Sequence, residues 1–467
     1  MGGARRRLCQ RRDALGCGPA PTNQPLSRNE VCRDEVEFGR QVNRLAQIFG
    51  EDNFRFIPKT FVIPGDRPLL NKAIDSNKNQ CYVIKPDGGS QGDGIYLTQD
   101  VTQGNLRHSE CVVQEYIANP LLLGGLKFDL RIYVLLTSLE PLRFYVCREG
   151  LARFAVEPYE RPSKANFHKL NMHLTNYSLN KFSKDFVPNT NAHEDQECSK
   201  RSITTAFEQL RAEYGSMFDE EALWERIRSM CDLTLSCIAP TLLLHSAEHS
   251  RAPGFSSHCF QVLGFDVLID DTFEPYLLEI NQHPSLQCDA PVDLMVKSEV
   301  LRPLVRMVSY GARERKLRKK GKSMQLTKAE WEDAHRGKFL EAGDGSENRH
   351  LVVPFLSMKD LFIETCSLGK SVTLEMNRSR VLKLARRMGW VQAKGAIFSS
   401  SAELELLVMK RMNATGLRVL TFFDFITFLL EDVGNLLFPG DPSPMSTQRL
   451  HNMASLLQAA PVASSVN

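Results

Sequence analysis

The sequence QVLGFDVLIDDTFEPYLLEIN, residues 261–281, contains two β-strand patterns on either side of a short polar turn. Pairing the two runs antiparallel about the middle of that turn sets Asp266 directly opposite Glu279. Asn281 lies two residues beyond Glu279, so all three side chains point from the same face of the predicted hairpin. The competing interpretation is an exposed hairpin that carries incidental acidic residues.

The hairpin indicates a metal site. Two carboxylates that face each other among Val, Leu, Phe and Ile repel in a poorly solvated place unless a cation neutralises them. Two carboxylates and an amide oxygen form an all-oxygen set that suits Mg²⁺, with ligand positions left for nucleotide phosphates. The pattern therefore predicts a magnesium site at Asp266, Glu279 and Asn281.

A glycine-rich loop follows an earlier predicted strand at residues 81–86. It reads Lys85-Pro86-Asp87-Gly88-Gly89-Ser90-Gln91-Gly92-Asp93-Gly94. Bare glycine backbone can approach phosphates closely while its N–H groups donate to them. The lysine precedes the glycines and a Walker A pattern is absent, so a glycine-rich hairpin without a ligand is an equally good interpretation of this loop alone.

A third predicted strand carries a row of charges along one face. By the period of two, one face has Lys127, Asp129, Arg131 and Tyr133, and the other has Phe128, Leu130, Ile132 and Val134. A solvated outer face is the competing interpretation. We favour a functional face, because solvated faces usually carry more Ser and Thr than Lys, Asp and Arg.

The elements predict a mixed α/β (α+β) core followed by a basic, helical C-terminal region. The predicted strands are 81–86, 112–117, 128–137, 142–148, 260–269 and 276–281, with helices within 36–49 and 203–249 and a long polar loop at 156–196. The expected organisation is a disordered leader at 1–30, a catalytic domain at 31–310, a basic segment at 311–330, a helical region at 331–445 and a disordered tail at 446–467.

Composition excludes several classes of protein. The chain has 467 residues, 42% of them hydrophobic and 24% charged, which is the composition of a folded globular protein. No apolar stretch approaches the ~20 residues of a membrane span, so we expect no membrane partner. The twelve cysteines form no Cys-x-x-Cys pair, which indicates a reduced, cytoplasmic protein.

Positive charge is concentrated in one short segment. Residues 313–322 hold seven basic residues and one acidic residue, although the whole chain has a net charge of only +3. A local basic run on a near-neutral protein predicts an acidic partner surface rather than nucleic-acid binding. The segment His245–His249 matches an inverted zinc-protease motif, but Pro253 and Gly254 follow closely, so we interpret it as a polar helix end.

With these features in this order, the chain resembles the tubulin tyrosine ligase-like family of ATP-grasp ligases over about residues 31–310. The shared motifs are Lys85-Pro86-Asp87 with Gln91-Gly92-x-Gly94-Ile95, Gln114-Glu115-Tyr116-Ile117, Lys127-Phe128-Asp129-Leu130-Arg131, Gly150-Leu151-Ala152-Arg153-Phe154, Leu174-Thr175-Asn176-Tyr177-Ser178 with Lys181, Gly264-Phe265-Asp266, and Leu278-Glu279-Ile280-Asn281 with Pro284-Ser285. Tyr177, Ser178 and Lys181 resemble the polyglutamylase branch, and the loop from Gln91 to Gly94 resembles the members that lengthen glutamate chains.

The resemblance implies a role for each matching position. Nucleotide binding is implied for Lys85, Gln91, Gly92, Gln114, Glu115, Tyr116, Ile117, Lys127, Phe128, Asp129, Thr175 and Asn176. Arg153, Tyr177, Ser178 and Lys181 are implied to hold the incoming glutamate, and Asp266, Glu279 and Asn281 to bind magnesium. Arg131 is our own candidate for the fixed cation that stabilises the oxyanion when the amide forms.

The implied activity is an ATP- and Mg²⁺-dependent ligase that adds free glutamate to glutamate side chains in tubulin tails through an acyl phosphate. We expect a monomer on cytoplasmic microtubules, with the cilium or basal body as further locations. The alternatives are a microtubule-binding protein whose ATP-grasp core is catalytically impaired, and a small-peptide ligase, which leaves the basic segment unexplained. The family's N-terminal lobe precedes the helix at Val36, so the ~30 residues found there lead us to expect a truncated lobe.

Overall fold

The structure is a computed structural model of the chain. It describes residues 35–86, 94–102, 106, 110–139, 142–249, 260–318, 339–342, 349–366, 375–391, 396–415, 418–439 and 447–459. The predicted leader at 1–30 and the glycine loop residues Gln91 and Gly92 therefore lie outside the described residues. In the described part of the chain, no helix is long and apolar enough to cross a membrane.

A small antiparallel sheet forms the first layer. Its strands, in spatial order, are β1 (Thr60–Ile63), β4 (Cys111–Glu115), β2 (Tyr82–Pro86) and β3 (Tyr96–Thr98). The helices α1 (Glu35–Phe49) and α2 (Arg67–Ser76) pack against β1. The apolar residues of β1, β2 and β4 fill the space beneath α2. This packing fixes the position of β2, which carries Lys85 next to its last residue.

A larger sheet forms the second layer. Its main path is β10 (Pro275–Asn281), β9 (Gln261–Ile269), β6 (Leu126–Leu139), β7 (Leu142–Phe154) and β11 (Phe339–Ala342). The short strand β5 (Leu122–Leu123) pairs with β6, and β8 (Lys200–Ser202) pairs with β7. The mixed α/β architecture predicted from the sequence is confirmed. All six predicted strands are present, five of them to within two residues at each end, whereas the strand predicted at 142–148 continues to Phe154.

Helices cover the larger sheet and form the C-terminal region. They are α3 (Leu170–His173), α4 (Tyr177–Asn180), α5 (Ile203–Tyr214), α6 (Glu220–His249), α7 (Pro291–Arg318), α8 (Arg349–Cys366), α9 (Arg378–Arg387), α10 (Ser401–Thr415), α11 (Phe422–Thr427), α12 (Gly434–Leu437) and α13 (Thr447–Ala459). One hydrophobic core runs from Leu45 and Leu130 through Trp224 to Phe425 and Met453. The predicted helical C-terminal region is therefore present, and it shares the core of the larger sheet.

The hairpin of β9 and β10 contains a β-bulge that the uniform predicted register did not include. Glu279 pairs with Asp266 as predicted, but the pairing shifts between Leu277 and Glu279, and nearer the turn Pro275 pairs with Ile269. The predicted register is thus right at the acidic pair and wrong by one residue nearer the turn. The extra residue, Leu278, turns Glu279 to the face of Asp266, because without it Glu279 would point into the core.

Two predicted boundaries differ from the structure. The tail at 446–467 is helical over Thr447–Ala459, so the prediction of disorder is wrong for those residues. Leu450, Met453 and Ala454 recur at helical spacing and are buried, which explains why the helix forms despite its polar surroundings in sequence. The break placed near Tyr310 falls inside α7, which continues to Arg318.

Candidate active site

A cleft of about 670 Å³ opens between the two sheets and gathers most of the predicted site residues. Its walls carry twelve of them: Lys85, Gln114, Glu115, Tyr116, Ile117, Lys127, Asp129, Arg153, Thr175, Asn176, Asp266 and Glu279. They come from six strands, from the two residues that follow β4, and from the segment between α3 and α4, so only the folded chain brings them together. Lys127 and Asp129 of the charged face of β6 line this cleft, and Lys127, Asp129 and Tyr133 are buried, which rules out the solvated outer face.

Two arginines bind the carboxylate of Asp266. Arg131 reaches it with Nε on Oδ1 and with Nη2 on Oδ2 at 2.9 Å. Arg153 donates from Nη2 to Asp266 Oδ2 at 2.8 Å and also forms a fork with Asp129, at 2.8 and 2.5 Å. Pairing β6 with β7 and β9 puts these side chains on one face, because Asp129 lies opposite Arg153 and Arg131 lies opposite Asp266.

Burial and charge act against each other in this cluster. Burial by itself raises the pKa of Asp266, but the guanidinium groups of Arg131 and Arg153 outweigh it and hold that pKa well below its usual range. Burial likewise opposes the charge of Arg153, yet Asp129 and Asp266 hold its pKa well above the ordinary value. Asp266 and Arg153 are therefore charged at neutral pH, and a forked guanidinium fixes each carboxylate in direction.

The residues present fit a magnesium ion. The amide nitrogen of Asn281 donates to Glu279 Oε1 at 2.9 Å, so the amide oxygen of Asn281 is left as a ligand for a cation. Asp266 accepts three N–H contacts and has about four lone-pair positions. Among the described residues no group of three or more His, Cys, Asp or Glu forms a metal site, so this two-carboxylate and amide set is the candidate.

Charge repulsion between Asp266 and Glu279, however, does not by itself require a metal. Arg131 and Arg153 already neutralise the negative charge of Asp266 in the folded protein. The support for magnesium is the donor set and its place beside Lys85, whose Nζ lies 3.4 Å from the carbonyl oxygen of Leu278 in the bulge.

The end of β4 forms one wall of the cleft. Gln114 is buried and donates from Nε2 to Thr60 Oγ1 at 3.0 Å, which ties the wall to β1. Burial raises the pKa of the neighbouring Glu115 carboxyl. The last two residues, Tyr116 and Ile117, leave the strand and turn along the apolar end of the cleft, beside Val83 and Leu268. A flat apolar slot with backbone groups at its edge is the usual setting for a base or other aromatic group.

Lys127 lies at the inner end of this slot. Its ammonium donates to Tyr116 Oη at 2.9 Å and to the carbonyl oxygen of His173 at 2.8 Å. Burial lowers the pKa of Lys127 to about 7, and the charge of Asp129 offsets only part of the effect. Burial, with the nearby charge of Lys127, also lowers the pKa of His173 to about 4, so that imidazole is neutral at physiological pH.

Some predicted site residues do not reach the wall of the cleft. Phe128 is buried in the core and stacks on Phe154, so only its backbone faces the site. Arg131 lies behind Asp266 with its side chain 13% exposed, which separates it from any reacting carbonyl. Lys181 is exposed, with Nζ above the rings of Tyr177 and Phe182.

The predicted glutamate site contains two lysines that sequence reasoning missed. Lys200 pairs with Arg153 across β8 and β7, and its Nζ lies 3.8 Å from the ring centroid of Tyr177. Asp293 binds Lys200 at 2.8 Å and Lys297 at 2.9 Å, so both lysines are held at the start of α7. The only signal in the sequence was the polar run around Lys200 between two predicted elements, which gave no indication of the pairing with Arg153.

This arrangement, an antiparallel sheet over a charged cleft with a carboxylate and amide hairpin, fits the ATP-grasp fold that the sequence resemblance implies. The sequence profile of the Tubulin-tyrosine ligase family matches residues 21–316, which is more than half of the chain. The chain therefore belongs to the tubulin-tyrosine ligase family, and the resemblance found in its sequence is confirmed.

Curated relatives are similar over the same region. The chain is 36% identical over 327 residues to the tubulin polyglutamylase TTLL6 of Mus musculus, covering 69% of this chain and 36% of the relative. It is 34% identical over 354 residues to the tubulin polyglutamylase TTLL11 of Homo sapiens, covering 70% of this chain and 48% of the relative. A probable beta-tubulin polyglutamylase of Tetrahymena thermophila is 34% identical over 260 residues, covering 55% of this chain and 21% of the relative. The chain thus spans less than half the length of these relatives.

Proposed function

We propose that the protein is a tubulin polyglutamylase that uses ATP and Mg²⁺ to join free glutamate to glutamate side chains in the acidic tails of tubulin. The observation that carries the proposal is the cleft in which twelve predicted residues meet, with Asp266 opposite Glu279 across a bulged hairpin. Its relatives bear the name tubulin polyglutamylase, which supports the choice of substrate.

The proposed reaction has two steps. The acceptor carboxylate attacks the γ-phosphorus of ATP, forming an acyl phosphate and releasing ADP. The amine of free glutamate then attacks the acyl carbon, the amide bond forms, the C–O bond to phosphate breaks, and the amine gives up a proton. When bound, Mg²⁺ would offset charge on the phosphates, held by Asp266, Glu279 and Asn281.

The chain's own residues then position the reactants. Tyr116, Ile117, Thr175 and Asn176 surround the slot proposed for the nucleotide, and Lys85 lines the same cleft, where we assign it to the phosphates. Gln91 and Gly92 lie outside the described residues and are kept as proposed phosphate ligands from the sequence motif alone. Because Arg131 is bound to Asp266, we assign it to orient that carboxylate, which replaces our earlier expectation of an oxyanion contact.

Free glutamate is proposed to bind on the cationic side of the cleft. Arg153 lines the cleft and can offer a guanidinium edge to a carboxylate. Lys200 is next to it and is buried against Tyr177, a better position for a second carboxylate than the exposed Lys181. Ser178 stands beside Tyr177 at the start of α4 and is retained in this proposed subsite.

The basic segment is proposed to dock the enzyme on the acidic microtubule surface. Its residues 313–318 are the last turns of α7, directly after the catalytic core, and 319–322 lie outside the described residues. A monomer on the cytoplasmic cytoskeleton, including cilia and basal bodies, is the expected setting. An acceptor that is already rich in glutamate needs a cationic surface to hold it near the site.

The proposal is tested by incubating the protein with microtubules, Mg-ATP and labelled glutamate. Label should enter tubulin only with all components present, and tail peptides should gain a mass of one or more glutamates. Binding to microtubules without incorporation, although Mg-ATP binds, would favour the impaired microtubule-binding protein. Incorporation into a small peptide but never into tubulin would favour a small-peptide ligase.

A further inference from the structure

A chain of buried hydrogen bonds runs behind the proposed nucleotide slot and ends at Lys127. Its members are Asn166, His173, Tyr116 and Lys127, which are 3%, 0%, 4% and 6% exposed. The imidazole of His173 lies at the centre, with Nδ1 3.2 Å from Tyr116 Oη and Nε2 3.3 Å from Asn166 Oδ1.

The backbone fixes the orientation of the Asn166 amide. The N–H of Ser163 donates to Asn166 Oδ1 at 2.7 Å, and Asn166 Nδ2 donates to the carbonyl oxygen of Arg161 at 2.9 Å. If the amide oxygen and nitrogen were exchanged, the amide nitrogen would face the N–H of Ser163 and the amide oxygen would face the carbonyl oxygen of Arg161. The atom that faces His173 is therefore an acceptor.

The orientation of Asn166 then decides the tautomer of His173. Nε2 must carry the proton, since it faces an acceptor, and a neutral imidazole leaves Nδ1 as an acceptor. Burial holds the pKa of His173 near 4, which agrees with a neutral ring. Tyr116 consequently donates its hydroxyl proton to Nδ1, and its oxygen accepts from Lys127 Nζ at 2.9 Å.

We infer that His173 is a positioning residue for the nucleotide, which sets the direction of this chain and thereby holds Lys127 and the Tyr116 ring in the slot. The carbonyl oxygen of His173 also accepts from Lys127 Nζ at 2.8 Å. Two of the three ammonium N–H groups are thus used within the described structure, and the third is directed by them toward the cleft. The inference rests on the proposed nucleotide site and adds a residue outside the predicted set.

Tyr159 offers a competing acceptor. Its ring meets His173 edge-on with centroids 5.9 Å apart, and its hydroxyl donates to the carbonyl oxygen of Ala118 at 2.8 Å. If Tyr116 donated to Tyr159 instead, Nδ1 of His173 would be buried beside the cleft without a donor, which costs free energy. Substitution of Tyr159 separates the two arrangements.

The test is Mg-ADP affinity measured by calorimetry, which needs neither tubulin nor glutamate. His173→Phe should weaken binding about tenfold, near the upper end of the cost of one lost neutral hydrogen bond. His173→Asn should stay within about threefold of wild type, because an Asn side-chain oxygen can take the place of Nδ1. His173→Gln, which reaches the position of Nε2 only, should lose as much affinity as His173→Phe.

Two further variants complete the design. Tyr82 is buried in β2 with no hydrogen-bond partner for its hydroxyl in the described structure, so Tyr82→Phe is the matched control and should bind as wild type. Tyr116→Phe should weaken Mg-ADP binding less when added to His173→Phe than when made in the wild type, since the two side chains belong to one hydrogen-bonded network. In turnover, the ATP KM should rise while the glutamate KM is unchanged.

The possible outcomes are distinct. Equal losses for His173→Asn, His173→Gln and His173→Phe would overturn the inference and leave His173 a packing residue. A loss on Tyr159→Phe as large as on His173→Phe would overturn the proposed direction of the chain. Wild-type protein that fails to bind Mg-ADP would reject the nucleotide site itself and with it the proposed function.

Discussion

Replacing one or the other carboxylate of the acidic hairpin should have very different consequences for stability. Asp266→Asn removes the charge that compensates Arg131 and Arg153, both only 13% exposed. Breaking a buried ion pair from one side costs about 3–5 kcal/mol, because the remaining charge stays buried. Asn keeps one acceptor oxygen, so we expect the lower part, about 3 kcal/mol, or roughly 6 °C in Tm at ~2 °C per kcal/mol for a large domain.

Glu279→Gln should leave the fold intact. Its side chain is partly buried and bears the like charge facing Asp266, and a Gln oxygen can still accept from the Asn281 amide. We expect a change of less than about 1 kcal/mol in the free energy of unfolding, near the worth of one neutral hydrogen bond. Ligation should nevertheless be lost, because one anionic ligand for Mg²⁺ is gone.

Both variants can be compared by thermal and urea unfolding at neutral pH without nucleotide or Mg²⁺, and then by glutamate incorporation. A stability loss in Glu279→Gln as large as in Asp266→Asn would refute the assignment of Asp266 as the residue that compensates the arginines. Wild-type turnover of Glu279→Gln at limiting Mg²⁺ would show that the metal hairpin is misassigned.

Three other predictions concern the substrates. Arg153→Ala and Lys200→Met should each raise the glutamate KM at least tenfold with little change in the ATP KM, whereas Lys181→Met should change the glutamate KM less than twofold. If Arg153→Ala raised only the ATP KM, Arg153 would belong to the nucleotide site. The pKa of Lys127 is about 7 in the folded protein and a bound polyanion favours the charged form, so ATP binding at pH 8 should take up a proton in the wild type but not in Lys127→Met. Calorimetry in buffers of different ionisation enthalpy measures this uptake, and equal uptake in the variant would show that Lys127 is not the group that takes up the proton. Replacing the seven basic residues of 313–322 by Ala or Ser should weaken microtubule binding and its salt dependence, since exposed charges are screened over ~8 Å, but should leave activity on a saturating tail peptide unchanged. Equal losses of activity on the peptide and on microtubules would indicate damage to the catalytic core.

The sequence predicts local elements and the acidic pair well, because both depend on short-range patterns. Alternation along 127–134 separates charged from apolar residues, and the structure places those two sets on opposite faces of β6. The turn between β9 and β10 is short, so its midpoint is close to the true axis of pairing. The bulge at Leu278 has no such signal, since it arises from how β10 packs against the cleft.

The missed residues depend on contacts between distant segments. Lys200 lies beside Arg153 and Tyr177 only because β8 pairs with β7 beyond a long loop, whereas Lys181 is near Tyr177 in sequence and yet exposed. His173 cannot be identified from the sequence, because a lone histidine beside a Thr-Asn motif has no spacing that indicates a role. Neither residue can be found from periodicity, since the pairing of elements, not their pattern, brings it to the site.

The C-terminal region illustrates the same limit, because a change of composition is not a structural boundary. The α1 helix carries Phe38 and Gly39, which line a small cavity of about 290 Å³ together with Lys85 and Glu279. The other side of α1 meets the C-terminal helices, where Arg44 lies 5.3 Å from the ring centroid of Phe423 and α13 packs against the helix. The wall behind Lys85 and Glu279 is therefore supported from the C-terminal region through α1. That support explains why α11 and α13 share the core of the larger sheet instead of forming one of their own.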